Sequence, residues 1–135
     1  MGREFDDLSG RVIAAAIDVH ERLGPGFVEQ VYENALRIEL VKRKIPFGSQ
    51  KRIEIRYDGD VVGRHTLDLL VGGNLIVELK AVLALEEIHL VQVKSYLKAI
   101  GSNTGLLLNF GTTSLDIRRA VVHFEPSTGA KPEPQ

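Results

Sequence analysis

The sequence predicts a mixed α/β fold, in which helices pack against a sheet of antiparallel and parallel strands. Three observations support this class. Two stretches with apolar residues at helical spacing come first and three strand-like runs follow up to residue 80. A third helical stretch then precedes two more strand-like runs. The predicted order is therefore α, α, β, β, β, α, β, β. The strand, helix and strand after residue 75 can form a right-handed crossover between parallel strands.

The first two helices are predicted over residues 7–22 and about 27–44, because apolar residues recur there at helical spacing. Pro25 in "LGPG" (23–26) separates them, since proline cannot continue a helix. Ser9 is expected to cap the first helix. The expected buried stripe of the second helix consists of Val28, Val31, Ala35, Ile38 and Val41.

The next three strands are predicted to form an antiparallel meander. "RIEIRY" (52–57) alternates apolar and polar residues, as a half-buried strand does. Asp58-Gly59 is a strong hairpin signal, so a second strand should run over about 61–71. "GGN" (72–74) then turns the chain into a third strand over 75–80.

The last elements are a helix over 85–100 and two strands. The run 104–110 is nearly all apolar, which is typical of a strand covered on both faces. Residues 118–124 are predicted as a final strand. The end of the chain, 125–135, is rich in proline and small polar residues and is expected to be disordered. One domain is therefore expected over residues 1–124.

Composition excludes several classes of protein. The chain has 135 residues, a net charge of −1 and no cysteine, so it has no disulfide framework and no thiolate metal site. No apolar run approaches the roughly 20 residues that span a bilayer, and the first residues lack the pattern of a signal peptide. A cytoplasmic location without membrane association is expected. Nucleic-acid binding would need a local basic patch.

Charged residues interrupt two strands that otherwise look buried. In "LDLLVGGNLIVELK" (67–80), Glu78 and Lys80 share a face because side chains alternate along a strand. The turn at 72–74 should bring Asp68 nearly opposite Glu78. Carboxylate oxygens suit Mg²⁺ or Mn²⁺, and a nearby lysine can orient water or stabilise negative charge. In the alternative, the three charges are solvated and do not converge.

Two helices offer further polar candidates. His89, Gln92 and Tyr96 lie on one face of the third helix, where they could donate hydrogen bonds to a phosphate or be ordinary solvated and core residues. Glu29 lies in the first turn of the second helix. It is either a helix-start residue favoured by the helix dipole or an additional metal ligand.

The remaining histidines offer no catalytic pattern. His20 lies on the apolar stripe of the first helix and is expected to be a core or interface residue. His65 and His123 have no predicted partner. The sequence contains no Walker loop, no G-x-G-x-x-G and no Ser/His/Asp order, so triad hydrolase and nucleotide-fold interpretations lack support.

Together these motifs resemble those of the PD-(D/E)XK nuclease superfamily: a helix, a meander with D-x9-E-x-K, a helix with Q-x3-Y and another strand. The pair Gln92–Tyr96 is similar to a motif of its RecB-like branch. "GFVEQVY" (26–32) matches G-x-x-E-x-x-Y, and "LGPG", "VELKAV" and "LLLNFG" are similar to stretches of the small prokaryotic GxxExxY proteins. The resemblance covers about residues 8–122. It implies a restriction-endonuclease-like αβββαβ core with an extra N-terminal helix.

The resemblance also implies roles for individual residues. The metal ligands would be Glu29, Asp68, Glu78 and the backbone carbonyl of Leu79. The catalytic residues would be Asp68, Glu78, Lys80, Gln92 and Tyr96. Leu67 stands where the superfamily's name has proline. That proline is not a metal ligand, so the chemistry does not depend on it.

The implied function is a Mg²⁺- or Mn²⁺-dependent nuclease that acts on DNA, or on RNA, with little sequence specificity. A homodimer is expected on superfamily grounds. Basic residues at the rim of the site would contact the backbone of the nucleic acid: Lys51, Arg52, Arg56, Arg64, Lys94 and Lys98. The alternative is a non-catalytic nuclease-like module that binds nucleic acid or a protein, which the pI of about 6.4 favours.

Overall fold

The computed structural model describes residues 3–123, with side chains from residue 8 onward. The elements follow the predicted order: α1 (Arg3–Leu23), α2 (Glu29–Lys42), β1 (Phe47–Tyr57), β2 (Asp60–Val71), β3 (Leu75–Lys80), α3 (Glu87–Ile100), β4 (Thr104–Asn109) and β5 (Asp116–Val121). The strands form one sheet in the order β1-β2-β3-β4-β5. β3 and β4 are parallel, as the predicted crossover requires, and the other neighbours are antiparallel.

Helices cover both faces of the sheet, and each face has its own core. The α1–α2 core contains Ala16, Leu36, Leu69, Val77 and Leu108 among its buried residues. The α3 core is built from Ile53, Leu67, Ile76, Val93, Leu97, Leu107 and Ala120. β4 is buried along its whole length because it lies between these two cores. Its apolar sequence predicted this position.

Several element boundaries differ from the prediction. β1 begins at Phe47 rather than at residue 52, because Phe47 packs on the α1–α2 core and pairs with Val71. β5 begins two residues earlier than predicted, at Asp116. The expected end of the last strand at residue 124 and the expected disordered tail, 125–135, lie outside the described residues.

Ser9 does not cap α1, contrary to the prediction. It lies inside the helix, which begins at Arg3, and it is fully buried. Its hydroxyl accepts a hydrogen bond of 2.6 Å from Nη1 of Arg119 in β5. Ser9 therefore joins α1 to the edge of the sheet.

The predicted buried stripe of α2 is wrong. The residues that α2 buries against the sheet include Tyr32, Leu36 and Leu40. Helix α2 has two apolar faces, and the sheet covers the one with the larger side chains, which bury more area. Three of its residues instead face outward, with Val28 70%, Ile38 62% and Val41 65% exposed. Val31 is half-buried, and Ala35 packs against the α1–α2 core. We use the term outer stripe for the four residues outside that core: Val28, Val31, Ile38 and Val41.

None of the helices in the described part of the chain is long and apolar enough to cross a membrane.

Candidate active site

The predicted acidic residues meet where β2 and β3 separate. The ladder between these strands ends at the pair Leu69–Val77, whereas β2 continues along β1 and β3 continues along β4. We use the term fork for this gap. In the fork, Oε2 of Glu78 accepts a hydrogen bond from the Asp68 N–H at 3.1 Å, and Oδ2 of Asp68 accepts one from the Leu79 N–H at 2.9 Å. The two carboxylates thus replace backbone carbonyls of the missing ladder.

A break in the strand alternation directs Asp68 into the fork. Leu67 packs in the α3 core and Leu69 packs in the α1–α2 core, although regular alternation would place them on one face. Opposite this break, Gln50 of β1 adopts a left-handed conformation with φ of 51°. Such a conformation is uncommon for a residue other than glycine. The irregularity leaves Asp68 between the strands rather than on either face.

A buried acid from α2 holds this irregular position. Nε2 of Gln50 donates hydrogen bonds to both carboxylate oxygens of Glu33, at 3.1 and 2.9 Å. Glu33 is 2% exposed and also pairs with Arg37 at 3.8 Å. Sequence reasoning did not assign a role to Gln50, because its partner lies 17 residues away on another element.

The environment of the two carboxylates disfavours their charges. Glu78 is 8% exposed, and its burial together with the charge of Asp68 raises its pKa to about 8. Burial likewise raises the pKa of Asp68. The alternative in which these charges are solvated and do not converge is therefore wrong.

Lys80 ends β3 on the same side as Glu78. Its positive charge lies close enough to lower the pKa of both Asp68 and Glu78, against the larger effect of burial. The Lys80 carbonyl accepts a hydrogen bond of 2.8 Å from the Phe110 N–H. The predicted convergence of two carboxylates and an ammonium is thus present in the fold.

Glu29 approaches the fork from the first turn of α2. Burial raises its pKa first, and the charge of Asp68 raises it further. The segment before it is shaped by Gly24 and Gly26, which have φ values of 71° and 118°. Tyr32 fixes this segment: its hydroxyl donates to the Gly24 carbonyl at 2.6 Å and accepts from the Phe27 N–H at 3.1 Å. The pattern G-x-x-E-x-x-Y is therefore one unit that positions Glu29.

Tyr96 reaches the site from α3. Its pKa is raised by burial and then by the charges of Glu78 and Asp68. The other two polar residues predicted on this helix face make no hydrogen bond to the carboxylates of the fork. Nδ1 of His89 accepts a hydrogen bond of 3.0 Å from the Glu86 N–H at the start of α3, and Gln92 is exposed without a hydrogen bond inside the described region.

The prediction that His65 has no partner is wrong. Its ring stacks on Tyr96, with centroids 3.8 Å apart and planes 14° apart. Its Nε2 is buried and has no hydrogen-bond partner among the residues described, and burial lowers its pKa. One signal was available in the sequence, since His65 precedes Leu67 by two residues and so shares the face that α3 covers. His20 is buried as predicted, and its Nε2 lies 2.9 Å from the Thr112 carbonyl oxygen.

The basic candidates lie on two elements. Lys94 and Lys98 belong to α3, and the other four belong to the β1–β2 hairpin. Arg52, Arg56 and Arg64 line one groove of about 630 Å³ between this hairpin and the end of α3. Arg56 and Arg64 also pair with Glu54, at 2.5 and 3.8 Å. Lys51, Lys94 and Lys98 do not line this groove.

The donors in the fork fit a cation that keeps water ligands. Between residues 8 and 123, no group of three or more His, Cys, Asp or Glu side chains lies close enough to hold a metal ion. The fork therefore offers two carboxylates and main-chain oxygen. Mg²⁺ is commonly bound by one or two carboxylates and retains several waters.

Comparison with known proteins identifies the family. A family model described as the PD-(D/E)XK nuclease superfamily matches residues 6–120. The chain belongs to this superfamily. The crystal structure of SSO0001 has a similar fold, with a TM-score of 0.55 and 16% identity over 73% of this chain and 52% of that chain. This chain thus spans about half the length of SSO0001. No curated protein matches it.

Superfamily membership confirms the predicted fold class. The three helices and the five-stranded mixed sheet are consistent with a restriction-endonuclease-like fold.

Proposed function

We propose that this PD-(D/E)XK protein is a Mg²⁺- or Mn²⁺-dependent nuclease that hydrolyses phosphodiester bonds, in DNA rather than RNA. One observation carries the proposal: Asp68, which is half-buried, and Glu78, which is buried, face each other in the fork with raised pKa values. Two such carboxylates cost stability unless a cation or a proton balances them. A divalent cation between them would remove this cost.

The proposed metal ligands are Asp68, Glu78 and the Leu79 carbonyl, with Glu29 as a further acid at the rim. A divalent cation supplies a water of lowered pKa and neutralises charge on the phosphate. Lys80 would orient that water or stabilise the charge that develops on the phosphate. Tyr96 and Gln92 would support the substrate or Lys80 by donating hydrogen bonds.

The proposed nucleic-acid surface consists of the basic residues near the site. Phosphate contacts from such residues make binding strongly dependent on salt and insensitive to sequence. We therefore expect little sequence specificity. The residues proposed for this surface are Lys51, Arg52, Arg56, Arg64, Lys94 and Lys98.

We also propose a narrower placement within the superfamily. The Q-x3-Y pair on α3 supports the RecB-like branch, and the unit formed by Gly26, Glu29 and Tyr32 supports the prokaryotic GxxExxY proteins. The proposal includes one nuclease domain over residues 1–124 and a cytoplasmic location.

A non-catalytic nucleic-acid-binding or protein-interaction module is the second candidate. It is favoured by the net charge of −1 and by Glu54, which neutralises two of the proposed DNA-binding arginines. Such a module has no need for a functional metal site. Metal affinity therefore separates the two functions.

The test is cleavage of single-stranded, double-stranded and branched DNA and of RNA, with Mn²⁺, with Mg²⁺ and with EDTA. We expect metal-dependent cutting of DNA that falls by at least about 100-fold in Asp68→Asn and in Lys80→Met. Glu21→Gln and Lys44→Met change exposed residues of the same types outside the site and should retain full activity.

Two outcomes would contradict the nuclease proposal. Cutting that persists in both site variants would mean that the activity belongs to another site or to a contaminant. No cutting of any substrate, together with no heat of Mn²⁺ binding in calorimetry, would favour the binding module.

A homodimer is proposed as the assembly, with the outer stripe of α2 as its interface. In an antiparallel pair of α2 helices related by a two-fold axis, Val28 would face Val41 of the second copy and Val31 would face Ile38. A groove of about 510 Å³ beside the stripe, lined by Ile38, Val41 and Phe47 among others, offers space for side chains of that copy.

A further inference from the structure

We propose that Asn109 is a positioning residue, which holds the backbone that presents Lys80 to the fork. The inference rests on the proposed nuclease function and deepens it. Asn109 ends β4 and is paired with Lys80, the last residue of β3, in the parallel ladder. It is fully buried, although its side chain is an amide.

The Asn109 amide makes three hydrogen bonds, two of them to the segment that follows Lys80. Its Oδ1 accepts hydrogen bonds from the Val82 N–H at 3.0 Å and from the Gly111 N–H at 3.1 Å. Its Nδ2 donates to the Val82 carbonyl at 3.0 Å. The side chain therefore contacts both backbone groups of Val82, as a neighbouring strand would do, although β3 has already ended.

These bonds complete a series that fixes the backbone on both sides of Lys80. Before it, the Leu79 N–H is held by Asp68. At Lys80 itself, the carbonyl is held by the Phe110 N–H. After it, Val82 is held by Asn109. Residues 81–86 form neither helix nor strand. The Asn109 contacts therefore hold the backbone in place beyond the last residue of β3.

Gly111 supplies an independent observation of the same contact. A Cβ atom at this position would lie 2.4 Å from the Val82 carbonyl oxygen and 2.6 Å from its nitrogen. Both atoms are backbone, so any larger residue would displace the segment after Lys80. The sequence "NFG" (109–111) thus combines an amide that holds Val82, a backbone N–H that holds Lys80 and a glycine that permits the close approach.

The chemistry of the site explains why this backbone needs an amide. An apolar side chain at position 109 could fill the same volume between the two cores, and burial of a polar group is costly unless it is hydrogen-bonded. Asn109 contributes directional bonds to one short segment. Lys80 has a long side chain, so its ammonium can stay over Asp68 and Glu78 only if its backbone is fixed. Small displacements of a catalytic group lower the rate steeply.

The experiment compares Asn109→Ala, Asn109→Asp and the control Asn103→Ala. Asn103 lies just before β4, where its amide donates to the Val122 carbonyl, so this control removes a similar bond at the opposite end of the strand. We expect Asn109→Ala to lower kcat by about 10- to 100-fold with KM for DNA unchanged. Asn109→Asp keeps an acceptor oxygen but places a buried carboxylate beside the Val82 carbonyl oxygen, so it should lower kcat at least as much as alanine does. Asn103→Ala should change kcat by less than about 2-fold.

A double-mutant cycle shows whether Asn109 acts through Lys80. In a Lys80→Met background, Asn109→Ala should cause no further loss of kcat, because the group that it positions is absent. A loss of the same size in both backgrounds would overturn the proposal. It would mean that Asn109 contributes to folding or to another part of the site.

A second measurement decides the proposal without any cleavage activity. The two protons on Cε of Lys80 have different surroundings when the side chain is fixed. In NMR spectra of protein with ¹³C-labelled lysine they then give two distinct signals. These should merge in Asn109→Ala and in Gly111→Ala, and remain distinct in Asn103→Ala. Faster amide exchange at Val82 with unchanged Lys80 signals would overturn the positioning role. A wild-type protein that shows two Lys80 signals but cuts no nucleic acid would contradict the proposed function and leave the positioning role supported.

Discussion

Glu78 shows how burial and charge act together at the level of one residue. Without a cation, the pKa of Glu78 in the folded protein is about 8, whereas its ordinary pKa is 4.5. From pH 4.5 to about 8, the folded protein therefore keeps a proton that the unfolded chain has released. Between these two values the folded state binds more protons than the unfolded state. The free energy of unfolding therefore falls as pH rises from 4.5 to about 8, and Glu78 causes no further fall above that range.

We predict that Glu78→Gln stabilises the protein at pH 8 in EDTA. The amide retains an acceptor for the Asp68 N–H and removes a buried charge. The expected gain is at least about 1.4 kcal/mol, the worth of one pKa unit, or roughly 4 °C in Tm. At pH 4.5 the gain should be much smaller, because the folded state is then protonated at Glu78 and carries little buried charge there. Thermal denaturation at the two pH values measures the difference.

Mn²⁺ provides the control for this prediction. A cation that binds only the folded state raises Tm, and the rise is larger when the cation binds more tightly. Mn²⁺ should therefore stabilise wild type at pH 8 and have little effect on Glu78→Gln. If wild type and Glu78→Gln have equal Tm values at both pH values in EDTA, the buried charge of Glu78 does not destabilise the protein and the prediction is wrong.

At the level of elements, local sequence patterns predicted most of the fold. The largely apolar β4 and the turn at Asp58-Gly59 have signals within a few residues, and the structure has both elements. The start of β1 was missed because Gly48 and Gln50 are poor strand residues, and tertiary contacts hold them there. The outer stripe was misassigned because periodicity reveals an apolar face and not which of two such faces the sheet covers.

The candidate site was predictable to the extent that it is local. Asp68 and Glu78 are joined by one hairpin, so their convergence followed from strand alternation and turn length. The roles of His65 and Asn109 depend on contacts with α3 and with the segment after β3. Such contacts join residues 27 or more positions apart, and a single sequence does not specify them.

An ion-pair network joins α1 to α2. Arg43 at the end of α2 bonds to Glu39 at 3.1 Å and also contacts Asp18 of α1, and its carbonyl accepts from Arg11 at 3.2 Å. The hydrogen bond from Arg43 lowers the pKa of Glu39. Because this pKa is depressed in the folded state, the stability is present above pH 4.5 and is lost as pH falls through the folded pKa.

We predict that Arg43→Ala lowers the free energy of unfolding by about 1–2 kcal/mol at pH 7, because it leaves Glu39 with weaker partners. Urea denaturation should show this loss shrinking as pH falls below 4.5 through the lowered pKa of Glu39. Arg22→Ala is the matched control. Arg22 is 71% exposed and 3.7 Å from Glu39, so its loss should cost less than about 0.5 kcal/mol. An equal loss in both variants would contradict the network.

At the level of the whole molecule, charge and apolar surface are distributed unevenly. The hairpin arginines lie beside the α3 face of the sheet, whereas the outer stripe lies on α2, which covers the opposite face. A dimer formed through α2 would therefore leave the proposed nucleic-acid surface of each copy free. Exposed apolar patches of this kind commonly mark interaction surfaces.

The proposed homodimer gives a direct prediction. Light scattering coupled to size exclusion should give twice the 14.9 kDa chain mass for wild type at high concentration, with dissociation on dilution. Ile38→Asp places a charge within the outer stripe and should give the monomer mass with an unchanged far-UV spectrum. Ile88→Asp alters a comparably exposed residue, 53% exposed, on α3 and should remain dimeric. A wild-type protein that stays at 14.9 kDa up to about 200 μM, well above the Kd expected of a specific interface, would contradict the dimer.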